Sequence, residues 1–127
     1  MCEVWGHRRP ALRPCHPVVQ RGIVNDGRPG TVAVVVSPLD DLLADSGDIS
    51  VLKIDVEGAD TWVLEGCRRL LEARRIRRVF YEQNLPRMAE LGISPDRAEA
   101  LLDACGWQCR PLTPPGIDVV EWEAWPK

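Results

Sequence analysis

From residue 31 onward, apolar and polar positions fall into blocks that alternate between two periods. Thr31 to Val36 is rich in β-branched side chains, which fit a pleated surface, and predicts a strand. Ser37-Pro38 then places a capping residue before a proline at the first helical position, and Asp40 and Asp41 suit the positive end of a helix. Leu39, Leu42 and Leu43 give that short helix one apolar face, and Gly47 stops it. Val51 to Val56 predicts a second strand. After it, Ala59, Trp62, Val63, Cys67, Leu70 and Leu71 recur at spacings of three and four. That rhythm predicts one helix over 59–71, with Asp60, Glu65, Arg68, Arg69 and Glu72 on its opposite face. Arg77 to Glu82 predicts a third strand. Ser94-Pro95-Asp96 opens a helix that turns Ala98, Leu101, Leu102 and Cys105 inward and ends at Gly106, where a C-terminal glycine is expected. Two short strands, at 107–112 and 118–122, complete the pattern.

Strands separated by helices of this length imply right-handed parallel crossovers, hence an α/β sheet. The link Thr113-Pro114-Pro115-Gly116 is too short for a crossover, so the last strand is expected to run antiparallel. Residues 1–30 read differently. Arg8-Arg9-Pro10, Arg13-Pro14 and His16-Pro17 break any period, since proline disfavours helix at itself and at the residue before it. The division expected is an irregular Arg/Pro-rich segment, 1–30, and one α/β unit, 31–127.

Charge sharpens that division. The net charge of −3 gives no reason to expect a nucleic acid or a membrane surface as partner. Yet the first 30 residues hold five arginines against Glu3 and Asp26, leaving the rest strongly acidic. The longest wholly apolar stretch, Val32 to Val36, is too short to span a bilayer, and the N-terminus lacks the apolar core of a signal peptide. Cys2, Cys15, Cys67, Cys105 and Cys109 form an odd set without a CxxC pair, which favours reduced thiols and a cytoplasmic location. The spacing of Cys2, His7, Cys15 and His16 fits no zinc pattern.

The segment that carries chemistry is Leu52-Lys53-Ile54-Asp55-Val56-Glu57-Gly58-Ala59-Asp60. Strand alternation puts Lys53, Asp55 and Glu57 on one face and Leu52, Ile54 and Val56 on the other. Three charges in line at the carboxyl end of an apolar strand are costly if buried unpaired. Open parallel sheets bind ligands in the crevice outside the carboxyl ends of their strands. Glu82, followed by Gln83 and Asn84, closes the next strand at the matching level. The bland reading of the same residues is an ion pair between Lys53 and one carboxylate, with Asp60 supporting the start of its helix. Tyr81 and Trp62 read as core residues, and the arginines at 68, 69, 74, 75, 77 and 78 as a solvated helix end and loop.

Taken with Leu39-Asp40-Asp41-Leu42-Leu43 before it and Val63-Leu64-Glu65-Gly66 after it, this segment resembles the FkbM family of S-adenosylmethionine-dependent methyltransferases. The resemblance runs over about residues 31–112 and includes an apolar strand ending in Glu, as Val79-Phe80-Tyr81-Glu82 does. Asp60 stands where the family usually has Glu. The resemblance implies a Rossmann-like fold, S-adenosyl-L-methionine as cofactor, and methyl transfer to a hydroxyl on a small molecule or glycan. It makes Asp55 the first candidate for a base or metal ligand and Glu57 the second, with Lys53 orienting or balancing them. The family's glycine-rich turn has no counterpart, because the ten glycines include no Gly-x-Gly and no strand–glycine loop–helix unit precedes residue 31. The expectation is therefore the C-terminal portion of the fold, with the N-terminal cofactor-binding strands missing and the chain inactive alone. Self-association through the exposed sheet edge is expected with it. Two other readings stay open: a non-catalytic α/β interaction module, and a magnesium-dependent phosphoryl-transfer or hydrolytic enzyme using Asp55, Glu57 and Glu82.

Overall fold

A computed structural model of the protein describes residues 23, 24, 27, 29–114 and 116–127. The expectations for 1–22, including the Cys/His spacing there, lie outside the described residues. The elements are α1 (Leu39–Leu42), β1 (Leu52–Lys53), α2 (Asp60–Glu65), α3 (Arg68–Glu72), β2 (Val79–Asn84), α4 (Leu85–Leu91), α5 (Arg97–Ala104), β3 (Trp107–Pro111) and β4 (Val119–Pro126).

The sheet runs in the order β1-β2-β4-β3. β1 pairs parallel with β2, placing Leu52 opposite Val79 and Lys53 opposite Phe80. The last strand is antiparallel, as the short Thr113–Gly116 link requires, and inserts between β2 and β3. One face of this sheet carries the core. Val79, Tyr81, Trp107 and Ala124 are buried there with Leu64, Leu70 and Leu71 from α2 and α3 and with Ala98, Leu101 and Leu102 from α5. The Trp107 indole is anchored by donating to the Leu71 carbonyl at 3.0 Å. Tyr81 belongs to this core, its ring stacked on Trp122 at 6.0 Å. Trp62 is half-buried. The thiols of Cys67 and Cys105 are buried and free, and burial pushes that of Cys67 up to about 12, the mark of an inert packing thiol.

Four details depart from the sequence reading. The run Val32 to Val36 forms no strand; Val32, Val34, Val35 and Val36 are all exposed. β-propensity expresses fit to neighbouring strands, and no strand lies beside this run among the described residues. β1 is a two-residue strand rather than six, because only Leu52 and Lys53 are ladder partners of β2. The helix expected over 59–71 breaks at Gly66-Cys67 into α2 and α3. Asp40 explains the break: its carboxylate accepts from the N–H groups of Arg69 and Leu70, both at 3.0 Å, and so caps α3 from a distant element. Asp40 thus serves the start of α3 rather than only its own helix. The fourth departure is α4, which the apolar rhythm did not announce. Asn84 caps it, accepting from the Arg87 N–H at 3.3 Å, and Pro86 occupies its first turn.

Candidate active site

The side chains along β1 and the turn after it alternate as strand geometry demands. Lys53, Asp55 and Glu57 are exposed, Ile54 is buried, and Leu52 and Val56 are half-buried. All three sequence candidates face solvent; only Lys53 lies within β1, and Asp55 and Glu57 follow it. Lys53 Nζ stands 3.9 Å from Asp55 Oδ2, with both side chains more than half exposed, so their pairing is a weak surface contact. A cleft of about 150 Å³ opens beside Lys53, lined by Phe80, Leu112, Glu121 and Trp122 among others. That volume is well below the ~300–1,000 Å³ typical of a pocket for a cofactor-sized ligand.

The backbone tightens immediately after the strand. Glu57 adopts φ 53° and Gly58 φ 91°, two consecutive residues in the left-handed region. Such a conformation is costly for a side-chain-bearing residue and tends to be kept where geometry matters. A Cβ on Gly58 would lie 2.6 Å from Arg87 Cβ and 3.1 Å from the Met88 nitrogen. The glycine is needed because α4 packs against the turn at backbone distance. It leaves no hollow for a ligand, so this turn does not fit the cofactor-gripping role that glycine-rich loops fill elsewhere.

Asp60 was expected on the solvent face of its helix and is instead one of the most buried polar residues, 2% exposed. Its Oδ1 accepts from the Glu82 N–H at 3.0 Å and its Oδ2 from the Val56 N–H at 3.4 Å. Desolvation raises its pKa, and those backbone donors work against the rise. Glu82, in the second half of β2 rather than at its end, also has a raised pKa: burial comes first, followed by the charges of Asp55, Glu57 and Asp60, with Lys53 pulling the other way. The carboxyl ends of β1 and β2 thus gather four carboxylates. Asp60 was misread because helical spacing alone assigned its face, and it sits at the first helical residue, where the side chain reaches back to the strand ends. Among the described residues, no group of three or more His, Cys, Asp or Glu side chains is placed to hold a metal ion. The magnesium reading of Asp55, Glu57 and Glu82 has no ligand set to rest on.

The arginines at 68, 69, 74, 75 and 78 are mostly exposed but tied locally. Arg69 reaches Asp41 at 2.5 Å, Arg74 the Gly106 carbonyl at 2.8 Å, Arg75 the Ala44 carbonyl at 3.0 Å, and Arg78 the Glu123 carboxylate at 2.5 Å. They brace loops rather than present a free basic patch. No helix among the described residues is long and apolar enough to cross a membrane.

Compared with known families, residues 13–109 match the methyltransferase FkbM domain. The match begins well before residue 31 and so enters the segment expected to be irregular. Among curated proteins no match is found.

Proposed function

This chain belongs to the FkbM methyltransferase family, and on that premise we propose that it carries the acceptor side of an S-adenosylmethionine-dependent O-methyltransferase. The observation that carries the reading is the placement of Lys53, Asp55 and Glu57 at the carboxyl end of β1, beside Glu82, within the matched residues. Parallel sheets present ligands there. The acceptor is a hydroxyl of a small molecule or glycan. Its oxygen becomes nucleophilic as its proton passes to a carboxylate, Asp55 first and Glu57 second, while Lys53 balances the charge. The cofactor supplies the methyl group. The described residues do not fit its grip, since the one glycine at a strand-to-helix turn is filled by α4.

The chain alone is therefore expected to bind S-adenosyl-L-methionine weakly. Isothermal titration at micromolar ligand should give no saturable isotherm. Tight one-to-one binding would place a cofactor cradle on this chain and overturn the division of labour.

The partner we propose beyond the acceptor is a second copy of the chain, meeting it at the β1 edge. β1 ends the strand order, and Leu52 and Ile54 donate toward β2, to the Arg78 and Phe80 carbonyls. Lys53, between them, directs its backbone groups to the other side. Val51 is 55% exposed there, and of the usual protections against pairing the edge has its short length and Lys53 but no proline. Light scattering coupled to size exclusion should show species larger than 14.2 kDa at tens of micromolar. A monodisperse monomer would show that the edge is covered.

A further inference from the structure

We propose that Asp60 is a positioning residue for this site: bound to the Val56 and Glu82 N–H groups, its buried carboxylate holds the Glu57-Gly58 turn and the end of β2 so that Glu57 and Glu82 face one crevice. The proposal rests on the methyl-transfer reading for what the crevice does, and on geometry alone for how it is held.

Leu52 donates to the Arg78 carbonyl and Ile54 to the Phe80 carbonyl, at 2.9 and 2.8 Å. A parallel pair continued one step further would bring the Ile54 carbonyl to the Glu82 N–H. The Glu82 N–H instead meets Asp60 Oδ1 at 3.0 Å. A side-chain oxygen has taken the place of a strand carbonyl. The two strands therefore part beyond Phe80 without leaving that donor unsatisfied, which a buried backbone group tolerates poorly. Asp60 fills the gap where the two strands part.

The same carboxylate fixes the other wall. Its second oxygen holds the Val56 N–H, closing a loop over Glu57 and Gly58, whose φ angles of 53° and 91° would otherwise relax. Glu57 is the residue whose side chain that loop aims. One buried group thus sets two carboxylates, exposed Glu57 in the turn and half-buried Glu82 on β2. Each of these bonds is stronger than a neutral one while the acceptor is charged. Asparagine at this position keeps the shape but offers one acceptor oxygen for two donors.

The test reads the coupling between the two walls in the chain itself, without cofactor. Carboxyl NMR follows the Glu82 titration in the wild type, Glu57→Gln, Asp60→Asn and the double variant. Lys53 and Asp55, the other charges acting on Glu82, stay constant throughout, as does Glu121 opposite it on β4. Glu57→Gln should lower the Glu82 midpoint in the wild-type background, and by less than half as much in Asp60→Asn. The Trp107 indole resonance, buried far from this turn, should stay put and report an intact core. Equal effects in both backgrounds would reduce Asp60 to a buried residue of structural value only. Should Asp60→Asn fail to fold, hydrogen exchange on the wild type decides. Slow exchange at both the Val56 and Glu82 amides supports the proposal, and fast exchange at either overturns it. Tight cofactor binding by this chain would alter the functional reading and leave these outcomes unchanged.

Discussion

Gly58→Ala should cost the fold roughly 3 kcal/mol, from two penalties that act together. The first is conformational. At φ 91° an L side chain crowds the backbone, a cost of about 1–2 kcal/mol. The second is steric. The new methyl would sit 2.6 Å from Arg87 Cβ and 3.1 Å from the Met88 nitrogen. Neither atom is the far end of a flexible chain, so α4 must move as a body, and overpacking of this kind typically costs about 1–3 kcal/mol. Gly92 supplies the control. It sits at φ 69° after α4 with nothing within 4 Å of its Cβ position, so Gly92→Ala should lose only the conformational part, about 1 kcal/mol. Urea melts at equal protein concentration measure both. Equal losses would mean that α4 yields freely, and that the close packing of the turn holds nothing in place.

The contrast between these glycines shows where the sequence was legible. Elements that announce themselves through local chemistry came through well. The helix closing at Gly106 turned Ala98, Leu101, Leu102 and Cys105 inward as read, and all four are buried. The antiparallel last strand followed from a link too short to cross over. What failed depended on partners distant in sequence. Val32 to Val36 has the composition of a strand but no neighbour to pair with among the described residues, and composition cannot supply one. The break between α2 and α3 depends on Asp40, some thirty residues away, whose carboxylate replaces the missing turn of helix. α4 lacks an apolar stripe of its own because it packs across the Gly58 turn. Its cap and proline, Asn84 and Pro86, were the local signal.

The site divides along the same line. Alternation along a strand is local, so the exposed side of Lys53, Asp55 and Glu57 was predictable and is what the structure has. Asp60 was not. A carboxylate at the first residue of a helix points back toward the chain that precedes it, and only the presence of β2 beside that chain makes the spot a buried junction. The charge that looked most expendable became the best enclosed. On the proposed reading this reorders the acidic residues by role: Asp60 holds the strand ends, while Asp55, Glu57 and Glu82 are left to meet the acceptor.

That division makes Asp55→Asn the substitution with the largest expected effect on turnover, in an active family member carrying the same Leu52–Asp60 segment. Losing a positioned base typically costs about 10²–10⁴-fold, which corresponds to roughly 3–5 kcal/mol of barrier. Asp55 is 59% exposed here, open to a proton arriving from an acceptor hydroxyl above the strand end. Asparagine keeps its size and its hydrogen bonding but cannot take the proton, so the loss should fall on kcat rather than on KM. Asp60→Asn should lose less, because it disturbs where Glu57 and Glu82 point without removing the proton acceptor. Asp48→Asn, at an exposed loop position, should be silent. Steady-state kinetics on the three variants gives the order. If Asp55→Asn retains turnover within about twofold of the parent, far short of the loss expected for a base, the proton goes elsewhere, and Glu82, whose pKa is raised by burial and its acidic neighbours, becomes the group to replace next.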